Sequence, residues 1–108
     1  MTIQHFHLVY KIRPVDRSEG AVALAKSVCV KLRDLSVDGW NRPDPTTSSF
    51  IGTLEVSGQD AAAKRDEIRA HIHDVFRRVL AGNDASFDVV VHIEASVDSL
   101  GSAMILEV

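Results

Sequence analysis

Three of the chain's five histidines fall where strands could set them side by side. His5 and His7 lie two apart in the alternating segment 4–12, and His92 and Glu94 lie two apart in the segment 87–95. Residues i and i+2 of a strand point to the same face. Directly opposed residues on neighbouring strands sit about 4.5–5.5 Å apart at Cβ. Adjacent strands would therefore bring His5, His7, His92 and Glu94 onto one surface, with Glu55 at its margin. Imidazole and carboxylate groups at that separation can hold a divalent metal such as zinc, nickel or copper. They can equally pass a proton as an acid–base pair. The plain alternative is that histidine and glutamate are ordinary residues of a half-exposed sheet.

The elements that would position these residues follow from hydrophobic periodicity. In 4–12, Phe6, Leu8, Tyr10 and Ile12 alternate with polar residues, the period of a strand buried on one side. Pro14 ends that ladder. Asp16 or Ser18 can cap the helix that follows, with Glu19 placed as in a capping box. On this helix, to about Leu35, the stripe Ala21, Leu24, Ala25, Val28, Leu32 and Leu35 faces the core. Cys29, at the edge of the stripe, reads as a buried structural thiol, since no basic neighbour or helix start lowers its pKa. Asp38-Gly39 forms a turn or helix stop, and residues 37–42 can form a weak strand confined to an edge by Pro43 and Pro45. Residues 46–49 form a polar connection.

A strand over 50–57 places Phe50, Gly52, Leu54 and Val56 on one side and Ile51, Thr53 and Glu55 on the other. Gly58-Gln59-Asp60 turns into a second helix over 61–81, with the stripe Ala61, Ile68, Ile72, Val75, Phe76, Val79 and Leu80. Its opposite face pairs Glu67 with His71 and Asp74 with Arg78 at the i,i+4 spacing. His71 and His73 point about 200° apart and cannot share a metal; His73 is expected to flank the core and His71 to face solvent. Gly82-Asn83 is a left-handed stop. The strand 87–95 sets Phe87, Val89, Val91 and Ile93 inward, with Asp88, Val90, His92 and Glu94 outward. After a turn over 98–101, a last strand runs from 103 to 108.

This order predicts an α+β two-layer sandwich, 1–108 being one domain. Its pattern is the ferredoxin-like βαββαβ with an extra C-terminal strand. Without the weak strand it becomes βαβαββ with both helices on one sheet face. Strands apolar on one side and mixed on the other exclude a doubly wound parallel sheet. The ferredoxin-like strand order 4-1-3-2 would place the first strand between 50–57 and 87–95, which is what the histidine surface requires.

Composition narrows the function classes. Apolar residues are 45 % and charged residues 25 % of the chain, close to globular averages. No apolar run approaches the roughly 18–20 residues of a membrane span, and the first fifteen residues hold no signal-peptide core. These features lead us to expect a soluble, cytoplasmic chain with no membrane partner. A single cysteine allows no internal disulfide. A net charge of −3 does not favour nucleic acid. An RNA-binding sheet would also need outward aromatics, whereas Phe6, Tyr10 and Phe50 fall on the side the helices must cover. No phosphate-binding glycine loop or nucleophile elbow is present.

What stands out is apolar content on the open face. Val9, Ile51 and Val90 are β-branched residues interleaved with its polar ones, and exposed apolar clusters mark interaction sites. The leading expectation is a non-enzymatic protein-interaction module of inhibitor, immunity or adaptor type. It would act through the open face on a second copy or another protein. Trp40 is either an anchor for that partner or a plug over the end of the core. The alternative is a small-ligand or divalent-metal site at His5, His7, His92 and Glu94; no other cofactor is expected. Third comes a small acid–base enzyme with residues 41–49 as a lid, for which no nucleophile or anion hole is legible.

Overall fold

A computed structural model describes residues 2–43, 48–98, 100–101 and 103–108. The chain forms β1 (Thr2–Pro14), α1 (Glu19–Arg33), β2 (Trp40–Asn41), β3 (Ser49–Val56), α2 (Ala61–Gly82), β4 (Val89–Val97) and β5 (Met104–Glu107). The strands make one antiparallel sheet in the order β2-β3-β1-β4-β5. The weak segment near 37–42 does pair, though through two residues only: Trp40 lies opposite Gly52 and Asn41 opposite Ile51. The order without it is therefore set aside.

Period-2 burial along β1 decides the two faces. Phe6, Leu8 and Tyr10 are buried while His5, His7, Val9 and Lys11 are exposed. Val28 and Leu32 from α1 and Ile68, Ile72, Phe76 and Leu80 from α2 join the inward side chains of every strand in one core cluster. Both helices thus cover the same face. Ser18 caps α1, its Oγ accepting from the Ala21 N–H at 3.2 Å, and Asp60 caps α2, accepting from the Ala63 N–H at 2.7 Å. Asp16 is not the cap; its carboxylate accepts from the Ser18 N–H at 2.9 Å and braces the capping residue from outside.

Gly52 has no side chain on the buried face, and its two neighbours use the space. Phe6 on β1 and Trp40 on β2 are both paired with it, and their rings meet edge-on above it at 5.4 Å. A Cβ there would stand 2.5 Å from the Phe6 ring. Gly39, at φ +82°, makes the turn that delivers Trp40, and its carbonyl accepts from the Thr53 N–H at 2.9 Å.

Several local expectations are corrected. β4 begins at Val89, so Phe87 sits in the preceding turn, 92 % exposed and outside the core. Cys29 is exposed, one step off the buried Val28. Ala61, in the first turn of α2, is exposed too. α1 stops at Arg33, leaving Leu35 half-buried beyond it. The left-handed residue after α2 is Asp84, at φ 54°, rather than Gly82 or Asn83. Glu67 does not serve His71; it accepts from both N–H groups and the hydroxyl of Ser57-Gly58, tying down the β3–α2 turn. Those hydrogen bonds hold its carboxyl below the ordinary range, the Gly58 N–H contributing most. No helix among the described residues is long and apolar enough to cross a membrane.

Candidate functional site

The open face is built by the odd residues of β1 and their cross-strand partners. β1 runs between β3 and β4, so its side chains stand at the centre of the surface. His5 is opposite Thr53, and His7 lies between Ile51 and Ser96. Val9 lies between Ser49 and Glu94, and Glu94 faces Ile105 on β5. Lys11 faces His92, which faces Glu107, and Arg13 faces Val90.

This register separates the histidines. The rows of His7 and His92 are four residues of β1 apart, roughly 13 Å at 3.3 Å per residue. His5 stands one row further away still. Glu94 is a diagonal neighbour of His7 and shares β4 with His92. Glu55, opposite Ile3, lies at the far end of the sheet. Among the described residues, no group of three or more His, Cys, Asp or Glu side chains could hold one metal ion. Instead the imidazoles border two shallow hollows. One has His5, His7, Asn41, Thr53 and Asp98 on its walls. The other has His92, Glu94, Lys11, Val9 and Ser48. The proposed lid over 41–49 falls partly on residues 44–47, outside the described residues.

The apolar content of this face exceeds the sequence expectation. Val9 is 41 % exposed and Ile51 42 %, and Val90, opposite Arg13, is half-buried. Ile3, 63 % exposed, and Ile105, 59 % exposed, extend the same surface. Both shared the parity of their strands' outward residues, so the alternation could have found them. The charges across the face are light: Arg13 reaches Glu107 at 3.4 Å, both side chains largely in solvent, a pair of little energetic weight.

Trp40 does not belong to this surface. It is 8 % exposed and packs against Phe6, Phe50, Phe76 and His71. Of its two expected roles, the plug is the one the structure shows. Its indole Nε1–H donates to His71 Nε2 at 3.0 Å. The expected roles of the helix histidines are thereby exchanged: His71 is half-buried in the aromatic cluster and His73 is exposed. Burial holds the His71 imidazole below its ordinary pKa, partly offset by Asp74 and reinforced by Arg78. Neutral His71 is also the form whose Nε2 can accept the indole proton. Arg42, unremarked in the sequence, lays its guanidinium 4.4 Å over the Phe50 ring and donates to the Tyr10 hydroxyl and the Leu32 carbonyl. It thereby fastens the segment after β2 to both β1 and α1.

No family model, curated protein or solved structure matches the chain. The reading of the site therefore rests on its geometry.

Proposed function

We propose that this chain is a non-enzymatic protein-interaction module that docks through its open sheet face, of inhibitor, immunity or adaptor type and working in the cytoplasm. The observation that carries this reading is the set of exposed aliphatic residues Ile3, Val9, Ile51 and Ile105 on the face opposite the helices. Scattered apolar residues are normal on a surface, but several on one face of one sheet mark a docking site. The fold suits the role. Read from the far edge without β5, the strand order is 4-1-3-2, which supports a ferredoxin-like split βαβ sandwich with an added strand. Such a sandwich leaves one sheet face for a partner, either a second copy or a different protein. Nucleic acid is the poorer fit, because Phe6, Tyr10 and Phe50 are buried under the helices and the net charge is −3.

The test is native mass spectrometry of untagged protein, purified without chelator, beside Val9→Lys and Val90→Glu. Each substitution sets the new charge opposite an existing one of the other sign, Glu94 or Arg13, so the sheet tolerates it. Both variants should stay folded and lose a chain from the assembly that the parent carries. A folded Val90→Glu protein with the parent's association would sink the proposal.

The hollow bordered by His92 and Glu94 supports a second reading, a site for a small ligand or a divalent metal. It predicts a bound mass in the same spectra and thermal stabilisation by added zinc or nickel. Mass action gives about 2.7 kcal/mol at a hundredfold excess over Kd. A His92→Ala protein should lose that gain, and an unresponsive parent protein would remove the idea. The acid–base enzyme reading ranks last, as the sequence announces no nucleophile or anion hole for it.

A further inference from the structure

β5 ends the sheet, and its ladder register shows what it offers outward. Val91 and Val108 exchange two backbone hydrogen bonds, at 3.1 and 2.9 Å. Antiparallel ladders alternate, so Met104 and Leu106 also turn their backbone groups to β4. Ile105 and Glu107 turn theirs away from the sheet, where no strand follows among the described residues. α2 runs beside this edge. Arg65 donates to the Leu100 carbonyl and Arg69 to the outward Ile105 carbonyl, the latter at 3.1 Å. Asp66, Arg69 and His73 of the helix share a groove with Ile105, Leu106 and Glu107.

The edge and the helix are self-complementary about the same level. If two β5 strands pair antiparallel about a twofold axis at Leu106, Ile105 of each copy lies opposite Glu107 of the other. That register makes four new backbone hydrogen bonds. One strand residue advances about 3.3 Å, or roughly two helical residues. Counting from Arg69 beside Ile105, Leu106 is therefore level with the stretch 71–72 of α2. This is also the midpoint between Asp66 and Arg77, which lie three turns apart on one exposed stripe of the helix. The same axis sets the two α2 helices antiparallel, with Asp66 of each copy facing the partner's Arg77. Opposite charges thus meet at both ends by symmetry. Leu106 meets its twin beneath the helices.

We infer that a second copy of this chain binds along the β5 edge and α2, joining two five-stranded sheets into one of ten strands. An incoming Glu107 N–H takes the Ile105 carbonyl that Arg69 now covers, and the exposed Arg69 guanidinium returns to solvent. The interface is isologous, as a twofold requires. It leaves both open faces uncovered on one side of the joined sheet, so this inference stands apart from the open-face reading.

Sedimentation equilibrium of the full chain tests it with Ile105→Pro, Asp66→Arg, Arg77→Asp, the Asp66→Arg/Arg77→Asp double variant and Val9→Lys. Proline at 105 removes only an outward N–H, so the β4–β5 ladder survives. We expect Val9→Lys to keep the edge dimer, whatever chain it sheds from the open face, and Ile105→Pro to stay folded and lose the edge copy at the same concentration. Asp66→Arg should weaken the dimer about tenfold, two symmetric contacts turning repulsive, and the double variant should recover most of that loss. If Ile105→Pro fails to fold, the charge-swap series decides alone. A monomeric parent, a folded Ile105→Pro protein that keeps the parent's assembly or a double variant without recovery overturns the inference. So does a dimer that Val9→Lys breaks and Ile105→Pro spares, a result that would assign self-association to the open face.

Discussion

The two faces of the sheet use histidine differently. On the covered face His71 sits in an aromatic cluster, takes a hydrogen bond from Trp40, and has its pKa lowered by burial. On the open face His5, His7 and His92 are exposed and spaced along the strands so that no two share a row. The residue type is the same, and the neighbours decide its chemistry. Imidazole acquires a fixed tautomer where a donor and a low-dielectric wall are imposed on it. On a wet sheet it remains a polar spacer between aliphatic side chains.

The largest test of this contrast removes the covered face's anchor. Trp40→Ala should destabilise the fold by about 3–5 kcal/mol, the usual cost of deleting a buried large aromatic, read by urea denaturation. A loss under about 1 kcal/mol would mean that β2 is not part of the core. Gly52→Ala should cost about 1–3 kcal/mol by overpacking, because its Cβ would stand 2.5 Å from the Phe6 ring. A neutral result would show that Phe6 and Trp40 can part without loss.

Protonation gives a smaller effect with a definite sign. The folded-state pKa of His71 lies below the ordinary 6.5, so the unfolded chain binds the proton more readily. Stability from this group is fully present above pH 6.5 and is lost as pH falls toward the folded value. The carboxylates of Asp16, Glu67 and Asp74, also lowered, lose theirs as pH falls from the ordinary carboxylate range toward their lower folded values. Trp40 is the chain's one tryptophan, so its fluorescence reports the indole–imidazole bond directly. The emission should change at some pH below 6.5 in the parent and not in a His71→Gln variant. An identical titration in both would place the proton elsewhere.

The smallest expected effect belongs to the open face. Val9→Lys and Val90→Glu should each change stability by less than about 0.5 kcal/mol, measured by the same urea titration, even where they abolish association. A large destabilisation by either would mean that the aliphatic set supports the fold rather than a partner.

The cost of misreading local parity shows in particular residues. Phe87 reads as the first inward residue of a strand, yet the turn that closes α2 onto β4 takes 86–88 out of the ladder and leaves its ring in solvent. His71 and His73 are distinguishable on a helical wheel only if the direction of the core is known, and Trp40, brought in by a turn at Gly39, widened that core toward His71. Arg42 went unremarked because nothing local announces a guanidinium stacked on Phe50. The aliphatic set was legible at Val9, Ile51 and Val90. Of the rest, Ile3 lies on a strand longer than the expected 4–12, and Ile105 lay inside the expected strand 103–108 without being assigned a side.

Alternation and periodicity alone showed which residues of β1 and β3 turn inward, where α2 begins, and that one sheet face would carry both histidines and β-branched residues. Period-2 and period-3.6 burial and side-chain caps are local physics, readable within a few residues. Only the tertiary structure decided how far apart the histidines stand, because that distance is a matter of register. A shift of a few residues between β1 and β4 would have joined His7 to His92. The pairing of Leu8 with Ala95 held them two rows apart.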